Sequence, residues 1–110
     1  MMKLGLSPAA AGLLRALLAR AGVDRDRILL SAYQSFDWQS LTFVGERHEI
    51  EFRIPGPDSS SLAARLTEGL TEAEFSIPGQ IVADISMQKP ATANADGSTT
   101  LHLEALTIAE

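Results

Sequence analysis

Between Ser40 and Ile54 the chain alternates apolar and polar residues twice, first at Leu41 and Phe43, then at Ile50, Phe52 and Ile54. Such alternation predicts one long β-strand, but its two halves differ in parity. Strand side chains change face at every residue, so both rows can serve one core only if an extra residue separates them. A β-bulge at Gly45-Glu46 is the preferred reading and a tight turn there the alternative, since Gly suits both.

The rest of the pattern is arranged around that strand. Ser7-Pro8 is a helix-opening pair, and Leu6, Ala10, Leu13, Leu14, Leu17, Leu18 and Ala21 follow at spacings of three and four, with Gly22 as the stop. Arg27 to Phe36 reads as a strand with Ile28, Leu30, Ala32 and Phe36 inward, and Leu29, Ser31, Tyr33 and Ser35 outward. Asp37-Trp38-Gln39 forms the connection to the long strand, which Pro55-Gly56-Pro57 ends. A weaker helix is capped by Asp58 or one of Ser59 to Ser61 and carries the stripe Leu62, Leu66, Leu70 and Ala73, with Glu68 and Glu72 one turn apart outside. After a turn at Ile77-Pro78-Gly79, Gln80 to Gln88 predicts a strand with Ile81, Ala83, Ile85 and Met87 inward. Lys89 to Ser98 is polar enough to be a long hairpin tip. Thr99 to Ile108 returns with a change of parity near Ala105, where a second bulge is expected.

The order is therefore αββαββ. Four antiparallel strands with one apolar face need both helices on that face, giving an α+β two-layer sandwich. The same order arises when the first strand of a ferredoxin-like βαββαβ plait is moved to the end. A single α+β domain over residues 1–110 is expected, with αββ halves at 1–55 and 56–110 as an optional division; His48 to Ile54 echoes His102 to Ile108 at a separation of 54 residues.

Composition narrows the function classes. With 110 residues, 45% of them hydrophobic, one core suffices. The net charge of −5 is unevenly spread: Lys3, Arg15, Arg20, Arg25 and Arg27 face only Asp24 and Asp26 in the first 27 residues, and the remainder is acidic. Five grouped cations do not make the broad basic surface that nucleic acid requires, so they are expected to complement the acidic part of the same molecule or of an identical neighbour. Cysteine is absent, which removes disulfides and thiolate chemistry. Arg15 interrupts the apolar run that a signal peptide would need, and no run reaches the length of a membrane span. A cytoplasmic location without membrane or nucleic-acid partners is the expectation.

Candidate chemistry is sparse. Asp37 and Trp38 at the first hairpin, with Arg47 and His48, are the best ligand-binding candidates, which makes a small-ligand protein or enzyme the alternative reading. His48 and His102, with Glu46 or Glu104, would be a metal pair only if their strands were neighbours, and no HxH, HxxxH or Cys accompanies them. Nucleophile, phosphate-loop and dinucleotide motifs are missing. No catalytic residue, metal or cofactor is assigned. Leu29, Tyr33 and Val82, read as apolar residues on the solvent side of the sheet, point instead to a non-catalytic interaction module, either a homo-oligomer or one that binds a protein partner.

Overall fold

The computed structural model describes residues 6–110; residues 1–5, which include Lys3, lie outside it. Helix α1 (Pro8–Ala21) starts where Ser7 accepts the amide of Ala10 through its side chain, with Pro at the first position, and stops at Gly22 in the left-handed conformation. Strands β1 (Leu29–Gln39) and β2 (Val44–Ile54), helix α2 (Ser59–Thr67), and strands β3 (Gln80–Ala93) and β4 (Thr99–Ala109) follow, giving the expected αββαββ order. All neighbouring strands are antiparallel, in the order β1-β2-β4-β3. That is the sheet order of a ferredoxin-like plait whose first strand has moved to the end.

Buried residues of both halves form one core: Leu13, Leu17 and Ala21 of α1, Leu62 and Leu66 of α2, Ile50, Phe52 and Ile54 of β2, Leu101, Leu103 and Ala105 of β4, and Ile85 of β3. The two helices are tied by Arg20, which donates to the carbonyls of Leu66 and Glu68 at the end of α2. These carbonyls lack helical partners, so the guanidinium satisfies groups that the helix terminus leaves open. At the other end Arg27 pairs with Asp58 at 2.5 Å. Part of the basic N-terminal segment is thus answered inside the same molecule.

One close approach constrains the sequence. Gly12, buried in the middle of α1, faces Ile77, and a Cβ there would lie 2.6 Å from Ile77 Cγ2. Only glycine lets the loop before β3 seat against the helix.

Strand phase departs from expectation at several points. β2 begins at Val44 and runs without a bulge, so Leu41 and Phe43 belong to the hairpin connection and not to a second apolar row. At Gly45 the backbone of β4 comes so near that a Cβ would stand 2.0 Å from the Thr107 carbonyl oxygen. Glycine serves a tight strand-to-strand approach at that position, neither a bulge nor a turn.

The bulge lies in β1, between Leu30 and Ala32, where the register against β2 shifts. It reverses the parity of everything after it. Ile28 is buried and Leu30 lies opposite Phe52, but Tyr33 is opposite Ile50, so Tyr33, Ser35 and Asp37 face the helices while Ala32 and Phe36 face away. Asp37, Trp38 and Gln39, expected in the connection, are part of β1.

In β3, register shifts at Val82/Asp84 and Met87/Lys89 place Val82, Ile85 and Met87 toward the helices and turn Ile81 outward. β4 carries none on the β2 side; Leu101, Leu103, Ala105 and Thr107 all point inward and Leu106 and Ile108 outward. β3 also continues through Pro90 to Ala93, leaving Asn94 to Ser98 as the tip. Pro is tolerated because β3 is an edge strand. Helix α2 stops at Thr67 and Leu70–Glu72 forms a separate 3-10 turn, so Glu68 and Glu72 do not share one helix. The echo between His48 and His102 is not a structural repeat either: the first faces the helices and the second faces away.

Candidate functional site

The most organised polar cluster lies on the helix-facing side of the sheet, where β2 supplies His48, β1 supplies Tyr33 and Ser35, and β4 supplies Thr107. Register brings them together, since Ser35 is the cross-strand partner of His48 and Thr107 that of Glu46. His48 has 0% exposure. Its Nδ1 is 2.5 Å from the Tyr33 hydroxyl and 3.3 Å from Ser35 Oγ, and its Nε2 is 2.8 Å from Thr107 Oγ1. The Tyr33 and His48 rings meet edge to face, 5.8 Å between centroids.

Proton positions follow from the chain of partners. Thr107 donates to the Glu46 carbonyl at 3.5 Å, so its oxygen is free to accept from His48 Nε2–H. Nδ1 is then the acceptor, and Tyr33 donates to it. Burial holds the His48 pKa below its ordinary 6.5, opposed by the Glu46 charge, and burial likewise raises that of Tyr33. Both groups are neutral, as this pattern requires. Glu46 Oε1 accepts from Ser7 at 2.8 Å, linking the cluster to the start of α1.

Chemically the cluster is closed. Both ring nitrogens are used by the protein, and no part of the imidazole reaches solvent. It ties three strands together on the helix-facing side of the sheet.

The four ligand-site candidates do not converge. Asp37 and His48 are on the helix side, whereas Trp38 and Arg47 are on the opposite side, so the sheet separates them. His102 is also on that far side, where Nε2 meets Glu51 Oε1 at 2.9 Å while its Nδ1 is buried without a partner. Among the described residues, no three His, Cys, Asp or Glu are grouped to hold a metal ion. A shallow groove between α2 and β3, lined by Ala63, Ala64, Thr67, Met87 and Pro90 among others, offers no titratable group.

The uncovered side of the sheet has a sharper composition. Cross-strand partners form rows across it: Trp38, Gly45, Ile108 and Ile81 in one, Phe36, Arg47, Leu106 and Asp84 in the next. Phe36 is 47% and Ile81 50% exposed. The two following rows are polar, Gln34, Glu49, Glu104 and Ser86, then Ala32, Glu51, His102 and Lys89. The apolar residues are thus gathered toward one end of the strands, with Arg47 and Asp84 among them.

Of the interface candidates, Leu29 is 43% exposed on this outer side, while Tyr33 and Val82 pack against the core from the other. The patch is made by Phe36, Trp38, Ile81, Leu106 and Ile108 instead. Its sequence signal was the change of parity in the last strand, which marks residues facing the other way and not a bulge.

No known protein family and no curated protein matches the chain. Among the described residues, no helix is long and apolar enough to cross a membrane.

Proposed function

We propose that this protein is a non-catalytic association module whose partner is a second copy of itself. The observation that carries this reading is the apolar half of the uncovered sheet face, where Phe36 and Ile81 stand half exposed beside Trp38, Leu106 and Ile108. Scattered exposed apolar residues are ordinary, but apolar side chains of β1, β3 and β4 gathered at one end of the uncovered face, with Gly45 and Arg47 of β2 between them and a polar end beyond, mark an interaction surface. The sealed His48 cluster is in keeping with the same reading, because both nitrogens of its ring are spent on contacts within the fold. The test is sedimentation equilibrium of the wild type against Phe36→Glu. The wild type should fit a self-associating species and the variant should shift to monomer with an unchanged far-ultraviolet spectrum; equal masses for the two would reject this face.

A further inference from the structure

The two edges of the sheet are unlike. β3 is interrupted by register shifts at Val82/Asp84, Met87/Lys89 and Lys89/Thr92, and carries Pro90 and the charges of Asp84 and Lys89. Bulges, prolines and edge charges are what keep an edge from pairing with another chain. β1 has none of these beyond its bulge at Ser31: from Ala32 to Gln39 the register against β2 is unbroken and Asp37 is the sole charge. Among the described residues nothing pairs with its other side.

The free backbone groups can be assigned. Ser40 N donates to Phe43 O at 2.9 Å, which makes that pair a hydrogen-bonded one. Bonded and non-bonded pairs alternate in an antiparallel ladder. Counting back through the unbroken register, Trp38, Phe36 and Gln34 spend their backbone groups on β2, while Gln39, Asp37, Ser35 and Tyr33 turn theirs to the open edge.

We propose, resting on the self-association reading above, that β1 is the docking edge for a second copy of this chain, the two β1 strands pairing antiparallel about a two-fold axis at Phe36. Backbone parity and the charge of Asp37 restrict the register, and the Ser35 hydroxyl favours an axis at Phe36. Antiparallel pairing of identical strands matches outward groups with outward groups only when the axis passes through a residue position, and an axis at Asp37 would set like charges opposite each other. With the axis at Phe36, Asp37 lies opposite Ser35 of the other copy. The Ser35 hydroxyl is available to donate, because Tyr33 already holds Nδ1 of His48 at 2.5 Å and Ser35 stands off at 3.3 Å. Phe36 then meets its own copy on the outer face, joining the two apolar patches into one surface across the axis.

The chain has no cysteine, so a single introduced thiol reports on this geometry. In a non-hydrogen-bonded pair the Cα atoms are about 4.5 Å apart, inside the range of roughly 4.4–6.8 Å that a disulfide spans. Phe36→Cys should therefore cross-link under mild oxidation at least ~10-fold faster than Ile81→Cys on the opposite edge. Asp37→Pro removes an N–H that the monomer does not use and should abolish dimerisation while the far-ultraviolet spectrum and cooperative melting persist. If the wild type is dimeric but Phe36→Cys cross-links no faster than Ile81→Cys, the edge docking is wrong and self-association stands through another surface. A wild type that is monomeric throughout overturns both. Should Asp37→Pro fail to fold, the paired cysteine rates decide alone.

Discussion

Tyr33 places its hydroxyl 2.5 Å from Nδ1 of His48, across two neighbouring strands and beneath the helices, and in doing so fixes the protonation of a ring that solvent does not reach. Thr107 completes the arrangement from the third strand at 2.8 Å. The two partners are not equivalent. Thr107→Val leaves a buried N–H with no acceptor and should cost about 1–3 kcal/mol, whereas Tyr33→Phe leaves Ser35 close enough to replace the lost donor and should cost about 1 kcal/mol or less from the hydrogen bond itself. Urea unfolding of the two variants checks the ranking; a larger loss for Tyr33→Phe, which keeps the ring, would mean that Ser35 does not replace the Tyr33 hydroxyl as donor.

The same cluster makes stability depend on pH. Burial depresses the His48 pKa in the native state below 6.5, with Glu46 opposing, so the unfolded chain takes up a proton first as pH falls. The stabilisation is full above pH about 6.5 and is lost as pH drops from there toward the native value. His48→Gln should flatten this part of the profile, measured by urea midpoints between pH 5 and 7. Carboxylates held low, Glu51 by Ser31 and His102 and Asp96 by Ser98 and Arg53, add their own losses only in more acidic solution. An unchanged slope in His48→Gln would show that another group carries it.

Gly12 and Ile77 give a prediction of opposite signs. Gly in a helix interior ordinarily costs about 1 kcal/mol relative to Ala, so Gly12→Ala taken alone would stabilise. Here the new methyl would stand 2.6 Å from Ile77 Cγ2, and the substitution should destabilise instead. In an Ile77→Ala background the same change should become stabilising. Thermal melts of the four proteins close the cycle, and the absence of a sign change would show that the loop yields without cost.

Two phenylalanines report on strand phase. Phe52 is 1% exposed in the core and Phe52→Ala should cost about 3–5 kcal/mol. Phe36→Ala should cost less than about 1 kcal/mol of monomer stability, because its ring lies on the uncovered face. Similar losses at both positions would mean that something covers Phe36 in the isolated chain.

Element order and sheet class were legible in the sequence because they rest on strong local signals: Ser7-Pro8 and Gly22 bracket α1, and the helix stripes reach the core except at Leu6, which is 43% exposed, and at Leu18 and Ala73, which are partly buried. Strand phase was less legible. The residue that shifts β1 is Ser31, an ordinary serine in a strand that still alternates on either side of it, whereas Gly45 looked like a bulge and serves a close backbone approach. That one displaced bulge exchanged the faces of Tyr33 and Phe36 and with them the reading of which apolar residues meet solvent. The His48 cluster was out of reach for a related reason. Its members are separated by up to 59 positions between His48 and Thr107 and meet only through strand order. Trp38 and Arg47 stand within ten residues of His48 in the chain, yet the sheet lies between them.

Self-association is tested most directly by absolute mass in solution, from size-exclusion chromatography with light scattering over at least a tenfold range of concentration. The account predicts a mass of twice the 11.8 kDa chain at the upper concentrations. A mass that stays at 11.8 kDa throughout would contradict it and leave the apolar half of the sheet face without an occupant of its own kind.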